Sequence, residues 1–252
     1  MLASLVLFAL FNIITANPVV EITKSPSLNI IDGDLANIED HPYVVSIEFL
    51  YGEICIGTII TDTVVLVTAA CAQRIPTKDW QAVIRSGSST LGENGTVHTI
   101  IGVAYHMDWD GYYNNNIGLI HIDERFIFDR TRQPIKLFEQ GDNIPIGATG
   151  VVSGFDFGQH LVTLNVTVVD HNKCQLPQIQ FNTTQEICTQ VIDNSYGVEC
   201  SGDEGAPLVV DGRLAGIMSR YSGYCSPRNP NVYLNIANYR IVPGNFLSLV
   251  KY

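Results

Sequence analysis

Basic side chains are scarce in this chain. Lys and Arg total 14 against 25 Asp and Glu in 252 residues, which gives a formal charge of −11 and a sequence pI near 4.8. A surface so acidic is repelled by phosphate, so nucleic acid and anionic membranes are excluded as partners. After the first 16 residues no apolar run approaches the ~20 that a bilayer-spanning helix needs, so no membrane role is expected. Internal repeats, low-complexity tracts and charge runs are missing as well. The histidines, His41, His98, His106, His121, His160 and His171, form no His-Glu-x-x-His pair, and no other metal-ligand spacing stands in for it. Neither a metal nor another cofactor is expected.

What is present begins with Met1 to Ala16, an apolar run ending in small residues, which reads as a signal peptide cut near Ala16. A secreted, extracellular protein follows from that reading. Six cysteines in such a setting suggest disulfide bridges, although spacing alone leaves about 15 possible pairings. Asn94-Gly-Thr96, Asn165-Val-Thr167 and Asn182-Thr-Thr184 are glycosylation sequons suited to surface positions. Short β-branched runs recur between Gly, Pro, Asn and Asp: 44–48, 57–60, 64–68, 99–104, 118–122, 150–153, 161–170, 207–210, 213–219 and 231–236. This pattern predicts an all-β chain, and its length allows one large or two small cores. After residue 236, Pro243-Gly244 leaves only 245–251 as a credible C-terminal helix.

One segment carries chemistry. Residues 200–208 read Cys-Ser-Gly-Asp-Glu-Gly-Ala-Pro-Leu. In position and order this resembles the nucleophile loop of the trypsin/chymotrypsin-like serine proteases, with Glu204 where the serine stands. A glutamate cannot replace that serine, because acyl transfer needs an oxygen that a base can deprotonate and that leaves again as an alkoxide. Its charge would also sit beside the backbone N–H groups of Gly202 and Glu204, which the resemblance assigns to the oxyanion.

The resemblance continues along the chain. Cys55-Ile-Gly-Thr-Ile-Ile and Thr68-Ala-Ala-Cys71 are similar to the family's Cys-Gly-Gly-Ser-Leu-Ile and Ala-Ala-His-Cys segments, with the two cysteines 16 positions apart. The ungapped register puts Ala70 at the base histidine; matching Thr-Ala-Ala instead puts Cys71 there and Ala72 at the half-cystine. Both registers lack the base. Asn115-Asn116-Ile117-Gly118-Leu119-Ile120 resembles Asn-Asp-Ile-Ala-Leu-Leu and puts Asn116 at the orienting aspartate. Ile30-Ile-Asp-Gly33, His41-Pro-Tyr-Val-Val-Ser-Ile47, Val152-Ser-Gly-Phe155 and Pro230-Asn-Val-Tyr233 are further matches, spread from residue 30 to near the C-terminus.

This family resemblance implies two packed six-stranded Greek-key β-barrels with a short C-terminal helix, over residues 30–252, preceded by a pro-segment 17–29. It implies the bridges Cys55–Cys71, Cys174–Cys188 and Cys200–Cys225. At the base of the substrate pocket it places Val198, where trypsin-like members have aspartate, so specificity for Arg or Lys is not expected. In Gly216-Ile-Met-Ser-Arg-Tyr221, similar to Gly-Ile-Val-Ser-Trp-Gly, Arg220 and Tyr221 alter the strand against which a substrate peptide pairs. A tyrosine where glycine leaves room would fill part of that cleft.

Activation in this family pairs a new amine at the isoleucine, here Ile30, with the aspartate before the nucleophile, here Asp203. The residue before Ile30 is Asn29 and the nearest upstream base is Lys24, which leaves a five-residue overhang after a trypsin-like cut. A single chain in a zymogen-like state is therefore expected. In function the chain reads as a secreted, monomeric serine protease homologue without catalysis. It would bind extracellular proteins, proteases or their substrates among them, as cofactor, decoy or regulator of a protease cascade. The alternative is a weak or rearranged endopeptidase in which Glu204 acts as a base on water, and an inert storage protein is a third reading.

Overall fold

The computed structural model describes residues 30–49, 54–75, 82–157, 159–175, 181–192, 197–198, 203–220, 226 and 229–239. The expected signal peptide, pro-segment, Cys200–Cys225 bridge and C-terminal helix lie outside them. Along the chain run β1 (Asp34–Leu35), β2 (Val44–Phe49), β3 (Ile54–Ile59), β4 (Val64–Val67), α1 (Ala69–Arg74), β5 (Ala82–Ser86), β6 (Thr96–Tyr105) and β7 (Gly118–Ile122). Then follow β8 (Lys136–Leu137), β9 (Thr149–Phe155), β10 (Leu161–Val168), β11 (Glu186–Val191), β12 (Pro207–Val210), β13 (Arg213–Arg220) and β14 (Asn231–Asn235).

The strands close into two antiparallel six-stranded barrels. The first has the ring order β2-β3-β4-β7-β6-β5, and β2 pairs β5 to close it. The second runs β10-β11-β14-β13-β12-β9, closed by β9 on β10. Counted within each barrel, both orders are first, second, third, sixth, fifth, fourth. The two halves thus repeat one topology, although the sequence shows no repeat. Closure removes the free strand edges that would otherwise invite pairing with other chains.

Burial explains the apolar strings. On β4 all four residues of Val64-Val-Leu-Val67 are buried, without the polar alternation of a half-exposed strand. Val65 and Val67 point into the first barrel, whereas Val64 and Leu66 join a cluster that includes Val152, Leu208, Ile217 and Leu234 of the second. On β2, Val45 and Ile47 face the first interior and Val44 faces the shared cluster. These strands serve the barrel core on one face and the junction between barrels on the other. Removing a large side chain such as Leu66 from the junction costs about 2–5 kcal/mol.

Disulfides join Cys55 to Cys71 and Cys174 to Cys188. Each closes a loop of about 15 residues, worth about 3 kcal/mol in the chain-entropy account. The first ties β3 to α1, whose start is capped by Thr68: its hydroxyl accepts the Cys71 N–H at 3.2 Å. No helix among the described residues is long and apolar enough to cross a membrane.

Candidate functional site: the cleft at Ala70, Asn116 and Glu204

The Cys55–Cys71 bond selects the ungapped register, because it makes Cys71 the half-cystine and Ala70 the residue before it. Ala70 sits in the first turn of α1, and its N–H donates to Asn116 Oδ1 at 2.9 Å. Asn116 precedes β7 and is almost completely buried, with its Nδ2 donating to Ser219 Oγ of β13 at 3.1 Å. The amide suits this position, since one end must accept from a backbone N–H and the other can donate to a hydroxyl. Two of the three triad places are therefore side by side, joined through the Ala70 backbone, but the side chain on α1 is a methyl group. It can neither take nor return a proton.

Glu204 occupies a tight turn. Ala206 N–H donates to Asp203 C=O at 2.9 Å, and Gly205 has φ +91, the left-handed value that the third residue of a type II turn demands. The turn is pressed against β3: Ile56 N–H donates to Glu204 C=O at 3.2 Å, and a Cβ on Gly205 would collide with the Ile56 carbonyl oxygen. Glu204 itself is half-buried. Gly202 and Tyr221 lie outside the described residues.

Ile30 is fully buried, and its backbone N–H donates to Asp203 Oδ1 at 3.2 Å. Ile30 and Asp203 thus stand side by side, the two residues that the resemblance pairs on activation. Apolar packing on Val162 and Leu164 holds the residue, as does reciprocal pairing of Ile31 with Val198 at 2.9 Å in both directions. Val198 is buried and apolar, which leaves no charge at that place for a basic substrate side chain.

Arg220, at the end of β13 and adjacent to Ser219, turns inward. Its Nη2 donates to Glu186 Oε2 at 2.7 Å, and both side chains are buried. The same carboxylate oxygen accepts the Asn182 N–H at 2.7 Å. Burial pushes the Glu186 carboxyl above its usual range, and these two donors offset only part of that rise. The Arg220 guanidinium also lies over the Tyr113 ring, 4.9 Å from its centroid. Tyr239 belongs to the same group: burial and then the Glu186 charge raise its phenol, and its hydroxyl donates to Asn115 Oδ1 at 3.4 Å. Instead of an open shelf beside Ser219, the cleft edge carries a guanidinium held by a carboxylate and an aromatic ring.

Among the sequence-predicted residues, the structure brings together Ala70 with Asn116 and Ile30 with Asp203, and Val198 pairs with Ile31, the residue after Ile30. It places Arg220 as a buried ion-pair partner, a role the motif did not suggest. Ser219 and Glu186 were missed. Ser219 stands inside the Gly-Ile-Met-Ser-Arg-Tyr segment and was within reach, whereas Glu186 has no motif around it; Tyr113 lies in the 108–115 loop, whose Trp, Tyr and Asn mark it in the sequence as a candidate contact site. Among the described residues no group of three His, Cys, Asp or Glu could hold a metal ion.

A family model described as Trypsin matches residues 30–242. The chain is 29% identical over 229 residues to a trypsin of Phaedon cochleariae, covering 87% of this chain and 89% of that protein. To a trypsin of Simulium vittatum it is 29% identical over 245 residues, covering 91% and 96%. Among solved structures, the scabies mite inactivated protease paralogue S-I1 superposes with a TM-score of 0.73 at 22% identity, over 83% of this chain and 95% of that one. Human heparin binding protein gives 0.70 at 22% identity, over 82% and 92%.

Proposed function

The chain belongs to the trypsin family of serine proteases, and we propose that within it this protein is a catalytically inactive member that acts by binding other proteins. The single observation that carries the reading is Ala70: it stands at the base histidine's place beside Asn116, to which its backbone N–H donates, and its side chain is a methyl. Without a base no serine would be activated, and Glu204 offers no serine. Val198 and the inward Arg220 support the reading independently, since they alter the places that would grip a substrate.

Among neighbouring structures of this fold, two are named as inactivated mite protease paralogues and one as a heparin binding protein, names for lost catalysis and for binding that fit the reading. Heparin itself is a poor candidate here, because a polyanion is repelled by a chain of charge −11. A protein partner in the extracellular space fits better, and a cofactor, decoy or regulator in a protease cascade is the role proposed. Secretion is part of this proposal and rests on the N-terminal run and the disulfides.

The test is hydrolysis of a broad peptide panel by the purified secreted protein. No turnover above a heat-treated sample is expected. Turnover that a Glu204→Gln variant loses would overturn the reading and make Glu204 a catalytic residue.

A further inference from the structure

Four large side chains of one short segment stand in solvent beside the cleft: Met107 and Tyr112 are 70% and 73% exposed, and Tyr105 and Tyr113 are each 42% exposed. A mobile loop would hide or scatter them, but this one is braced from within. Asp110 accepts the Tyr112 N–H at 2.8 Å, the Asn114 N–H at 3.2 Å and Asn114 Nδ2 at 2.6 Å. Asn115 Nδ2 donates to Asp108 C=O at 3.0 Å, and Trp109 stacks edge-on against Tyr105. From outside, Gln185 Nε2 donates to Asn115 Oδ1 at 3.2 Å, which ties the loop to the second barrel. The aromatic rings are thus presented on a fixed frame before any partner arrives.

Tyr, Trp, Asn and Gly are the residues that make contact surfaces at low conformational cost, and a frame already ordered spares the entropy of ordering it on binding. The charge is one-sided. Between Arg85 and Arg125 the sequence contains no Lys or Arg, while Asp108 and Asp110 lie exposed in the loop. On its inner side Tyr113 already carries one cation, the buried Arg220 guanidinium 4.9 Å from its centroid, which leaves the exposed rings of Tyr105 and Tyr112 for a partner. Aromatic faces with carboxylates between them attract a cation both through the ring and through the charge.

We propose that the Tyr105–Tyr113 segment is the docking surface for a protein segment bearing exposed Arg or Lys side chains. This deepens the protein-binding function proposed above and rests on it. The occupant is a basic stretch of a partner protein, because the acidic surface disfavours anionic partners and the rings leave apolar area for the stems of long basic side chains.

The test uses the full secreted protein and a displayed library of random 12-residue peptides, followed by synthetic versions of the enriched sequences. Enrichment of Arg- or Lys-containing peptides is expected. Their affinity should fall about tenfold or more in Tyr112→Ala and Tyr105→Ala, as for exposed aromatic anchors, and should weaken with salt. A Leu35→Ala/Ile127→Ala variant, altered at exposed residues elsewhere, should bind as the wild type does. Circular dichroism checks that each variant is folded. No enrichment, enrichment without basic residues, or binding that survives Tyr112→Ala and Tyr105→Ala together would overturn the proposal. Hydrolysis of the same peptides, followed in parallel, reports separately on the inactive-protease reading, so that the two can fail independently.

Discussion

The Arg220 guanidinium lies 2.7 Å from the Glu186 carboxylate, and each side chain is only 4% exposed. A pair so buried contributes little net stability compared with an apolar pair of the same shape, but breaking it strands a charge. Arg220→Ala should therefore cost about 3–5 kcal/mol in urea unfolding. Replacing both partners, Arg220→Met with Glu186→Leu, should recover most of that loss. A cost below about 0.5 kcal/mol for Arg220→Ala, the level of an ordinary surface substitution, would show that the pair is not held as described.

The same pair predicts how hard catalysis is to restore. Ala70→His, Asn116→Asp and Glu204→Ser together supply the three missing groups, and the Ala70 N–H bond to position 116 provides the frame for them. Turnover should nevertheless stay near the wild-type background, because Arg220 occupies the strand that aligns a substrate. Adding Arg220→Trp with Glu186→Met clears the edge without leaving a carboxylate unpaired, and hydrolysis of substrates with apolar side chains should then rise by about tenfold or more, as expected when a substrate is correctly positioned. A fully active triple variant would show that Arg220 does not obstruct the cleft.

The parts of this site that were legible in sequence are those fixed by local spacing. Cys55 and Cys71 located Ala70, and Asp203-Glu-Gly205 located the nucleophile's place. The core strands were legible where burial is two-sided, as in β4. Four strands were not foreseen, two of them the two-residue β1 and β8. In β5, Arg85 interrupts the apolar run; in β11, Glu-Ile-Cys-Thr-Gln-Val mixes polar and apolar residues, because Glu186 is buried for its ion pair and not for its hydropathy. Glu186 meets an arginine 34 positions away and Asn116 meets a serine 103 positions away. Contacts at such separations are made by barrel topology, which no local pattern carries.

Glycan occupancy should differ among the three sequons. Asn94 and Asn165 are exposed, the former in a turn with φ +52 and the latter on the outer face of β10. Asn182 is only half-exposed, its Oδ1 accepts both the N–H and the hydroxyl of Thr184, and its own N–H is bonded to Glu186. In protein secreted from a eukaryotic host, Asn94 and Asn165 should be occupied and Asn182 largely bare. Mass spectrometry before and after enzymatic removal of N-glycans checks this, and a fully occupied Asn182 would contradict it.

His98 sets a pH dependence of stability. Its ring is buried between β5 and Phe126, with Nε2 2.8 Å from Ser86 Oγ, and Nδ1 has no partner among the described residues. Burial, followed by the nearby Arg132 charge, lowers its pKa from 6.5 to about 4. The unfolded chain therefore binds this proton more readily than the folded one between those two values. Stability is fully present above pH ~6.5 and is lost as the pH falls toward ~4. Between pH 7.5 and 5.0 the loss attributable to His98 should reach about 2 kcal/mol. His41 is also lowered by burial and acts in the same direction, so the wild type alone does not isolate the effect. His98→Gln keeps a hydrogen-bonding group for Ser86 but cannot titrate. Its urea-unfolding free energy should fall less than that of the wild type over the same interval, and equal slopes for the two proteins would remove His98 as the cause.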